Sequence, residues 1–260
     1  MKTRIISGLV MAPLLLIVYF GGPVLTLGCF IIGIMGVREF YNGFHALDIH
    51  PSYWIAAFSA LALYGINLAG LSDSWYMIWF FGVVIASLLY LFKIDERKLE
   101  DAMATITGIF YVVFFSFHVT LVDQTGEYAI LAWLIFLTAF GTDVMAYFTG
   151  YAIGKHKLCP KISPKKTIEG SIGGILGSVI LCGVFGYFFF ERVLIHCLII
   201  GLLGGVISQF GDLTASIFKR KMGIKDYGNL IPGHGGIMDR FDSVLFTAPL
   251  VYYYIAIVLL

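Results

Sequence analysis

The stretch "VLIHCLIIGLLGGVISQFGDLTASIF", Val193 to Phe218, contains one charged residue, Asp212. An α-helix needs roughly 20 predominantly apolar residues to cross the hydrocarbon core of a bilayer, and this run is long enough. A carboxylate in such surroundings costs on the order of several kcal/mol unless it is paired, protonated or bound to a metal. The stretch therefore predicts a membrane-spanning helix whose carboxylate requires a partner.

The rest of the chain has the same apolar character. Its 260 residues are 59% hydrophobic and 13% charged, which leaves too few polar side chains to coat a soluble fold. We therefore expect an all-α, polytopic integral membrane protein with about nine transmembrane helices. The expected spans are 5–20, 23–37, 53–71, 75–92, 104–122, 129–150, 171–190, 193–218 and 241–260.

The distribution of positive charge predicts the orientation of these spans. If the N-terminus is cytoplasmic, the outer segments carry only Arg192, so the other sixteen of the seventeen Lys and Arg residues lie inside. Cytoplasmic segments of membrane proteins carry such an excess. We therefore expect a cytoplasmic N-terminus, an external C-terminus and chemistry that faces the cytoplasm.

The cysteines give no indication of a disulfide framework or a zinc site. They lie singly, without C-x-x-C spacing, and three are inside apolar runs. We interpret Cys29, Cys159, Cys182 and Cys197 as small core residues.

A lysine-rich segment, "GKHKLCPKISPKKTIEGSIGG" from Gly154 to Gly174, precedes the seventh span. Its five lysines and the backbone N–H groups at the start of a helix are suited to binding an anion. The alternative is a topology signal that only touches lipid headgroups. The Pro, Thr and Glu residues within 163–170 favour the anion site, because a topology signal does not need them.

Four aspartates lie in or beside apolar spans. Asp143 is in the sixth span, Asp212 is in the eighth, and Asp239 and Asp242 are three residues apart at the start of the ninth. On a helix, spacings of three and four residues place side chains on one face. The face that includes Asp212 also carries Ser208, Ser216 and Lys219.

Each aspartate also has a purely structural interpretation. Asp242 could cap the ninth span, Asp143 could pair with a lysine, and Asp212 could form a buried ion pair with Lys219. These interpretations stay open for each residue alone, but the occurrence of the aspartates together disfavours all of them holding at once.

Together, these carboxylates and the flexible cationic loop between the last two spans suggest a divalent-cation site beside a phosphate site. Oxygen ligands without a His/Cys cluster favour Mg²⁺. Glycines such as Gly233, Gly235 and Gly236 let the backbone approach a ligand closely. The combination is more typical of phosphoryl or nucleotidyl transfer than of solute transport.

The segment "SIFKRKMGIKDYGNLIPGHGGIMDRFDS", Ser216 to Ser243, closely resembles the signature of the phosphatidate cytidylyltransferases, also called CDP-diacylglycerol synthases. The resemblance is specific over 143–242, whereas the first 130 residues match only as a generic set of membrane helices. The matching positions are Ser216, Lys219, Arg220, Lys225, Asp226, Gly228, Ile231, Pro232, His234, Gly235, Gly236, Asp239, Arg240 and Asp242.

The resemblance implies that phosphatidate and CTP react to give CDP-diacylglycerol and pyrophosphate, with Mg²⁺ as cofactor. It also implies a monovalent cation such as K⁺, a homodimer, and a bacterial cytoplasmic membrane as the location. The partners are then the two substrates and membrane lipids, without nucleic acid. We expect one membrane domain over 1–260, with N-terminal helices over 1–130 and catalytic helices and cytoplasmic loops over 131–260.

The resemblance also suggests residue roles. Asp212 and Asp239 are the expected metal ligands, with Asp143 and Asp242 as additional or supporting ligands. His234 either donates a hydrogen bond to the leaving pyrophosphate or is structural. The expected phosphate-binding groups are Lys219, Arg220, Lys225, Arg240, Lys165, Lys166, the Ser216 hydroxyl and the backbone of Gly235 and Gly236.

Two other functions remain as alternatives. One is a CTP-dependent enzyme that acts on another lipid phosphate, such as an ether lipid or a polyprenyl phosphate. The other is an ion-coupled transporter, which the intramembrane Asp143 and Asp212 fit loosely. The transporter is less favoured because the chain has no convincing internal repeat and its polar groups lie toward one face of the membrane.

Overall fold

The computed structural model describes residues 16–230 and 235–260, and nearly all of the secondary structure in this part is helical. Residues 16–20 are helical, and the π-helical segment Ile109–Phe114 joins α4 to α5. A second π-helical segment, Ile255–Leu259, extends α9. The helices are α1 Gly22–Phe44, α2 Tyr53–Leu68, α3 Asp73–Leu89, α4 Leu99–Gly108, α5 Phe115–Asp123, α6 Ala132–Ile153, α7 Ile168–Phe189, α8 Leu194–Met222 and α9 Met238–Tyr254.

The all-α membrane class is confirmed. Among the described residues, seven helices are long and apolar enough to cross a membrane when the short turns that extend them are included, and α2 is a shorter apolar helix. Together they correspond to the second to ninth expected spans. Most of the first expected span, 5–20, lies outside the described residues. The expectation of about nine spans is thus approximate, with eight of them represented by described helices.

Two local expectations are wrong. Helix α1 continues to Phe44 instead of ending near residue 37, so Arg38 and Glu39 belong to the helix. The lysine-rich segment contains a small antiparallel hairpin, β1 Lys157–Cys159 with β2 Ser163–Thr167, in which Lys157 pairs with Thr167 and Cys159 with Ser163. Its strands are too short for their side-chain alternation to be evident in the sequence.

The described residues form two compact units. The first contains residues 16–117, 221–230 and 235–240. The second contains residues 118–220 and 241–260. The signature segment is divided between the units, and the expected single membrane domain with its N-terminal and catalytic parts stays a prediction.

In the first unit, α1 packs closely against the π-helical segment. A Cβ added at Gly36 would lie 3.0 Å from a Val112 methyl carbon, and one added at Gly33 would lie 3.2 Å from the Ser116 hydroxyl oxygen. The Tyr41 hydroxyl donates to the Thr105 carbonyl at 2.7 Å. Small residues at these positions allow the helices to approach each other, as is common in membrane proteins.

In the second unit, glycines allow the same close approach between the helices that carry the aspartates. A Cβ at Gly174 of α7 would lie 2.9 Å from the Thr142 carbonyl oxygen of α6, and one at Gly211 of α8 would lie 2.8 Å from the Asp242 carbonyl oxygen of α9. The Thr167 hydroxyl caps α7 by accepting from the Gly170 N–H at 3.1 Å. These contacts hold α6, α7, α8 and α9 at short distances.

The cysteines are free, as expected from their spacing. Cys29, Cys182 and Cys197 are buried, in agreement with a core role, whereas Cys159 lies partly exposed on β1.

Candidate active site

Three of the predicted aspartates meet in the second unit. Asp143 comes from α6, Asp212 from α8 and Asp242 from α9, and the Asp242 carboxylate interacts electrostatically with the other two and with Lys219. Asp242 is buried and accepts a hydrogen bond from the Ser243 N–H at 2.7 Å. Since α9 begins at Met238, Asp242 lies inside the helix, and its interpretation as an N-terminal cap is wrong.

Asp212 has a cationic partner from the lysine-rich hairpin. Its carboxylate forms a salt bridge with Lys166 of β2, and both side chains are mostly buried. Ser216, one turn further along α8, donates a long hydrogen bond to Asp212 Oδ1 at 3.5 Å. Lys219 is seven residues from Asp212, about 10 Å along a helix. The ion pair described for Asp212 is with Lys166.

A cavity of about 550 Å³ lies beside these groups within the second unit. Its volume is in the range of small-molecule sites, about 300–1,000 Å³. It combines three lysines with a carboxylate, hydrogen-bonding side chains and two tyrosines. Lining residues include Asp143, Tyr147, Tyr151, Lys157, Lys165, Lys166, Ser171 and Gln209.

The hairpin that supplies the lysines is attached to the start of α7. Glu169 Oε2 accepts from the backbone N–H groups of Lys155 and His156 at 3.1 and 3.2 Å. Its other oxygen contacts His156 Nδ1 at 2.6 Å. Arg220 Nε, at the end of α8, donates to the Ile162 carbonyl in the hairpin turn at 3.3 Å. These bonds determine which lysines reach the cavity.

The described signature residues between Lys225 and Arg240 lie in the first unit. Asp239 is buried, and its Oδ2 accepts from the N–H groups of Tyr227 and Gly236 at 2.8 and 3.0 Å. Gly235 has a φ of 85°, a left-handed conformation that favours glycine. Because the Gly236 N–H points to Asp239, its expected role as a phosphate donor does not agree with this geometry.

The remaining cations differ in exposure. Lys225 is exposed and Arg240 is partly buried. Within the described residues, the buried Nε of Arg240 has no hydrogen-bond partner, so it is a plausible donor to an anion. His234 lies outside the described residues. His118 is buried and packs against the rings of Tyr252 and Tyr253, so it is a core residue of the second unit.

Sequence reasoning missed three polar residues around these groups. Glu39 of α1 accepts from the Met238 N–H at 2.9 Å in the first unit. In the second unit, Ser171 donates to Gln209 Oε1, and the Gln209 amide nitrogen donates back to the Ser171 carbonyl at 3.2 Å. Their polarity within apolar spans is the only signal that could have indicated them.

The acidic cluster of the second unit fits a magnesium ion by its chemistry. In the described part of the chain, no group of three or more His, Cys, Asp or Glu side chains is placed to hold a metal ion together. Mg²⁺ does not require one, because it usually retains several waters and binds through one or two carboxylates and substrate phosphates. Carboxylates next to a lysine-lined cavity provide that combination.

Comparison with known proteins identifies the family. The model of the "Cytidylyltransferase family" matches residues 2–258. A phosphatidate cytidylyltransferase of Staphylococcus haemolyticus is 36% identical over 257 residues, 95% of each chain. A Bacillus subtilis protein of the same name is 40% identical over 162 residues, 61% of this chain and 59% of that one. One from Synechocystis is 48% identical over 128 residues, 48% of this chain and 43% of that one.

The chain belongs to the cytidylyltransferase family. The resemblance inferred from the signature segment is thereby confirmed. The comparisons give no support to the transporter alternative.

Proposed function

We propose that this chain transfers the cytidylyl group of CTP to phosphatidate, producing CDP-diacylglycerol and pyrophosphate. The observation that carries the proposal is the lysine-lined cavity beside Asp143, Asp212 and Asp242 in a chain of the cytidylyltransferase family. The phosphatidate cytidylyltransferases that it resembles bear the name of this reaction.

In the proposed reaction, a phosphatidate oxygen attacks the α-phosphorus of CTP. A new phosphorus–oxygen bond forms, the bond between the α-phosphorus and the bridging oxygen breaks, and pyrophosphate leaves with that bond's electron pair. The phosphatidate phosphate is already an anion at neutral pH, so a dedicated general base is not required. The principal work of the protein is to position the phosphates and stabilise their charge.

The cavity supplies groups for that task. Lys157, Lys165 and Lys166 provide ammonium donors for the triphosphate. Ser171 and Gln209 supply neutral polar groups at the same cavity. The salt bridge between Lys166 and Asp212 keeps this lysine close to the carboxylates before the substrate binds.

In this proposal, one or two of the carboxylates of Asp143, Asp212 and Asp242 would hold Mg²⁺, together with water and substrate phosphates. The bound ion would neutralise charge on the reacting phosphates. Asp239 as a further ligand stays a prediction, as does the monovalent cation. The proposal also includes assistance by His234 to the departure of pyrophosphate. It includes phosphate contacts by the Gly235 backbone and by the side chains of Ser216, Lys219, Arg220, Lys225 and Arg240.

We further propose that the protein is a homodimer with its site at the cytoplasmic face of a bacterial membrane. CTP is a soluble polyanion, whereas phosphatidate stays in the leaflet, so the two can meet only at a membrane surface. The positive-inside distribution supports a cytoplasmic N-terminus and an external C-terminus.

The test is an assay of pyrophosphate release from CTP by the purified protein in detergent micelles. We expect release to require phosphatidate and Mg²⁺ together and to stop when a chelator is added. Parallel reactions with an ether-lipid phosphate and a polyprenyl phosphate measure selectivity. Release that is absent with phosphatidate but strong with another lipid phosphate would contradict the proposed substrate.

A further inference from the structure

Residues 223–230 and 235–237 are the described part of the loop between α8 and α9, and two carboxylates hold its ends in the first unit. Asp239 Oδ2 accepts from the Tyr227 and Gly236 N–H groups. Glu39 Oε2 of α1 accepts from the Met238 N–H. Asp239 is near the loop in sequence, but Glu39 is 199 positions from Met238.

The surroundings of Glu39 fit its carboxylate closely. An added Cβ at Gly228 would lie 2.6 Å from Glu39 Oε1, and one at Gly236 would overlap the carboxylate. Both positions therefore need glycine while Glu39 occupies this place. The two parts of the loop that carry Gly228 and Gly236 therefore both contact the side chain of Glu39, which belongs to a helix in the N-terminal part of the chain.

Neighbouring residues of α1 dock the same loop. The Phe40 ring lies 5.9 Å from the Tyr227 ring, measured between centroids. A Cβ at Gly43 would lie 3.1 Å from a methyl carbon of Ile224. The contact between α1 and the loop therefore extends over a full helical turn around Glu39.

We propose that Glu39 is a positioning residue for the reaction, which acts by holding the backbone of the loop that carries the signature residues. Its effect depends on where its oxygen atom lies and not on its charge. The inference rests on the proposed function, since it concerns how well the loop is arranged for catalysis. It also assigns a role to a residue outside the signature segment.

The first experiment measures loop order without any substrate. Amide hydrogen exchange is followed by mass spectrometry in peptides that cover residues 225–230 and 235–240. We expect Glu39→Ala to accelerate exchange in both peptides, because Met238 loses its acceptor and the glycines lose their neighbour. Unchanged exchange in both peptides would overturn the proposal, whether or not the protein has the proposed activity.

The second experiment separates position from charge. Glu39→Gln keeps the length of the side chain and an oxygen acceptor, whereas Glu39→Asp keeps the charge but is shorter by one methylene. We expect Glu39→Gln to retain kcat within about threefold and Glu39→Asp to lose about 10- to 100-fold, as a misplaced reacting group does. The reverse order would show that the charge matters and would refute the positioning role.

Asp101 provides the matched control. It is a buried carboxylate of the same unit and accepts from the His50 and Lys98 N–H groups at 2.6 and 2.9 Å, and neither donor belongs to the loop. We expect Asp101→Ala to lower the thermal midpoint but to leave both the loop exchange and kcat near wild type. The two alanine variants are compared at equal loss of stability. If Asp101→Ala then lost as much kcat as Glu39→Ala, the role of Glu39 would be structural and not specific to the loop.

A double-mutant cycle tests the contact between Glu39 and Gly228 directly. In the wild-type background, the methyl group of Gly228→Ala would displace the Glu39 carboxylate, and we expect about a tenfold loss of kcat. In the Glu39→Ala background the same change should cost less, because the carboxylate is gone. Strict additivity of the two losses would contradict the proposal. If Glu39→Ala does not fold, the Gln and Asp variants decide the question.

Discussion

The two units differ in how most of their buried and partly buried acids are used. In the first unit, carboxylates accept hydrogen bonds from backbone N–H groups in loops and at a helix start, which in the second unit Glu169 also does. In the second unit, carboxylates from separate helices lie near one another, near lysines and beside a cavity. The first group comprises Glu39, Asp101 and Asp239, and the second comprises Asp143, Asp212 and Asp242.

This difference separates acids that organise the backbone from acids available for chemistry. A carboxylate that accepts two backbone N–H groups, as Asp239 does, is satisfied in place and holds its loop. A carboxylate paired with a lysine side chain, as Asp212 is with Lys166, can exchange that partner for an ion or a phosphate. The same residue type thus serves two purposes, and only its partners distinguish them.

Asp212→Asn should have the largest effect. The change keeps the size of the side chain but removes the negative charge, so Lys166 loses its counter-ion and the proposed metal site loses a ligand. We expect pyrophosphate release to fall by at least about 1,000-fold, in the range seen when an electrostatic group is removed from an active site. Circular dichroism and thermal unfolding in detergent should show a folded protein.

Glu127→Gln is the control for Asp212→Asn. Glu127 forms an exposed ion pair with Arg192 at 2.7 Å within the second unit, away from the described cavity. We expect full activity from this variant. If Asp212→Asn retained most of its activity, the second unit's cluster would not be the reaction site.

Asp239→Asn should mainly affect loop order. An asparagine oxygen carries no full negative charge, so it makes weaker hydrogen bonds to the Tyr227 and Gly236 N–H groups than the carboxylate does. We expect the free energy of unfolding to fall by about 1–3 kcal/mol and amide exchange in residues 225–230 to rise, with activity lost in proportion. Loss of activity with unchanged exchange would instead support the prediction that Asp239 is a metal ligand.

Lys165→Ala should have a smaller effect that is confined to substrate binding. Lys165 is exposed on β2 and lines the cavity, so its loss removes one ammonium group from the proposed triphosphate site. We expect KM for CTP to rise about tenfold, with kcat nearly unchanged, as for the loss of one charge-assisted hydrogen bond.

Lys161→Ala is a matched control for Lys165→Ala. It removes an exposed lysine in the turn of the same hairpin, and Lys161 is not among the residues that line the cavity. Unchanged KM in both variants would mean that the lysines of this segment act only as a topology signal.

Much of the fold was predictable because a helix in a bilayer must satisfy its own backbone hydrogen bonds. Long apolar runs such as 193–218 therefore indicate helices without any knowledge of their neighbours. The hairpin was not predictable, because β1 and β2 are short and are held by partners elsewhere, such as Glu169 on α7. The end of α1 was not predictable from hydropathy, because the charged Arg38 and Glu39 end the apolar run while the helix continues to Phe44.

The candidate site was predictable in its residue types but not in its pairing. Asp143, Asp212 and Asp242 were recognisable as acids in apolar runs and signature positions. That Lys166 would partner Asp212 depends on how the hairpin folds back, which spacing along α8 does not reveal. Glu39 and its distant contact with Met238 could not be inferred, because a single sequence does not show which remote segments meet.

The smallest effect is expected when the exposed ion pair of Lys98 and Asp48 is removed. This pair contrasts with the mostly buried ion pair of Lys166 and Asp212. The Lys98 ammonium hydrogen-bonds to Asp48 and lowers the pKa of that carboxyl from its ordinary value. Since the pKa of Asp48 is lowered in the folded state, any stabilisation is present at neutral pH and disappears as the pH falls through that lowered value.

Exposed ion pairs contribute little, because water screens the charges and ordering two long side chains costs entropy. We therefore expect Lys98→Ala to leave pyrophosphate release unchanged and to shift the thermal midpoint at pH 7 only within experimental error. Lys166→Ala, measured beside it, should lower activity clearly, since it leaves Asp212 without its counter-ion in a mostly buried place. If Lys98→Ala and Lys166→Ala changed pyrophosphate release equally, the ion pair of Asp212 would not differ in function from the exposed ion pair of Asp48.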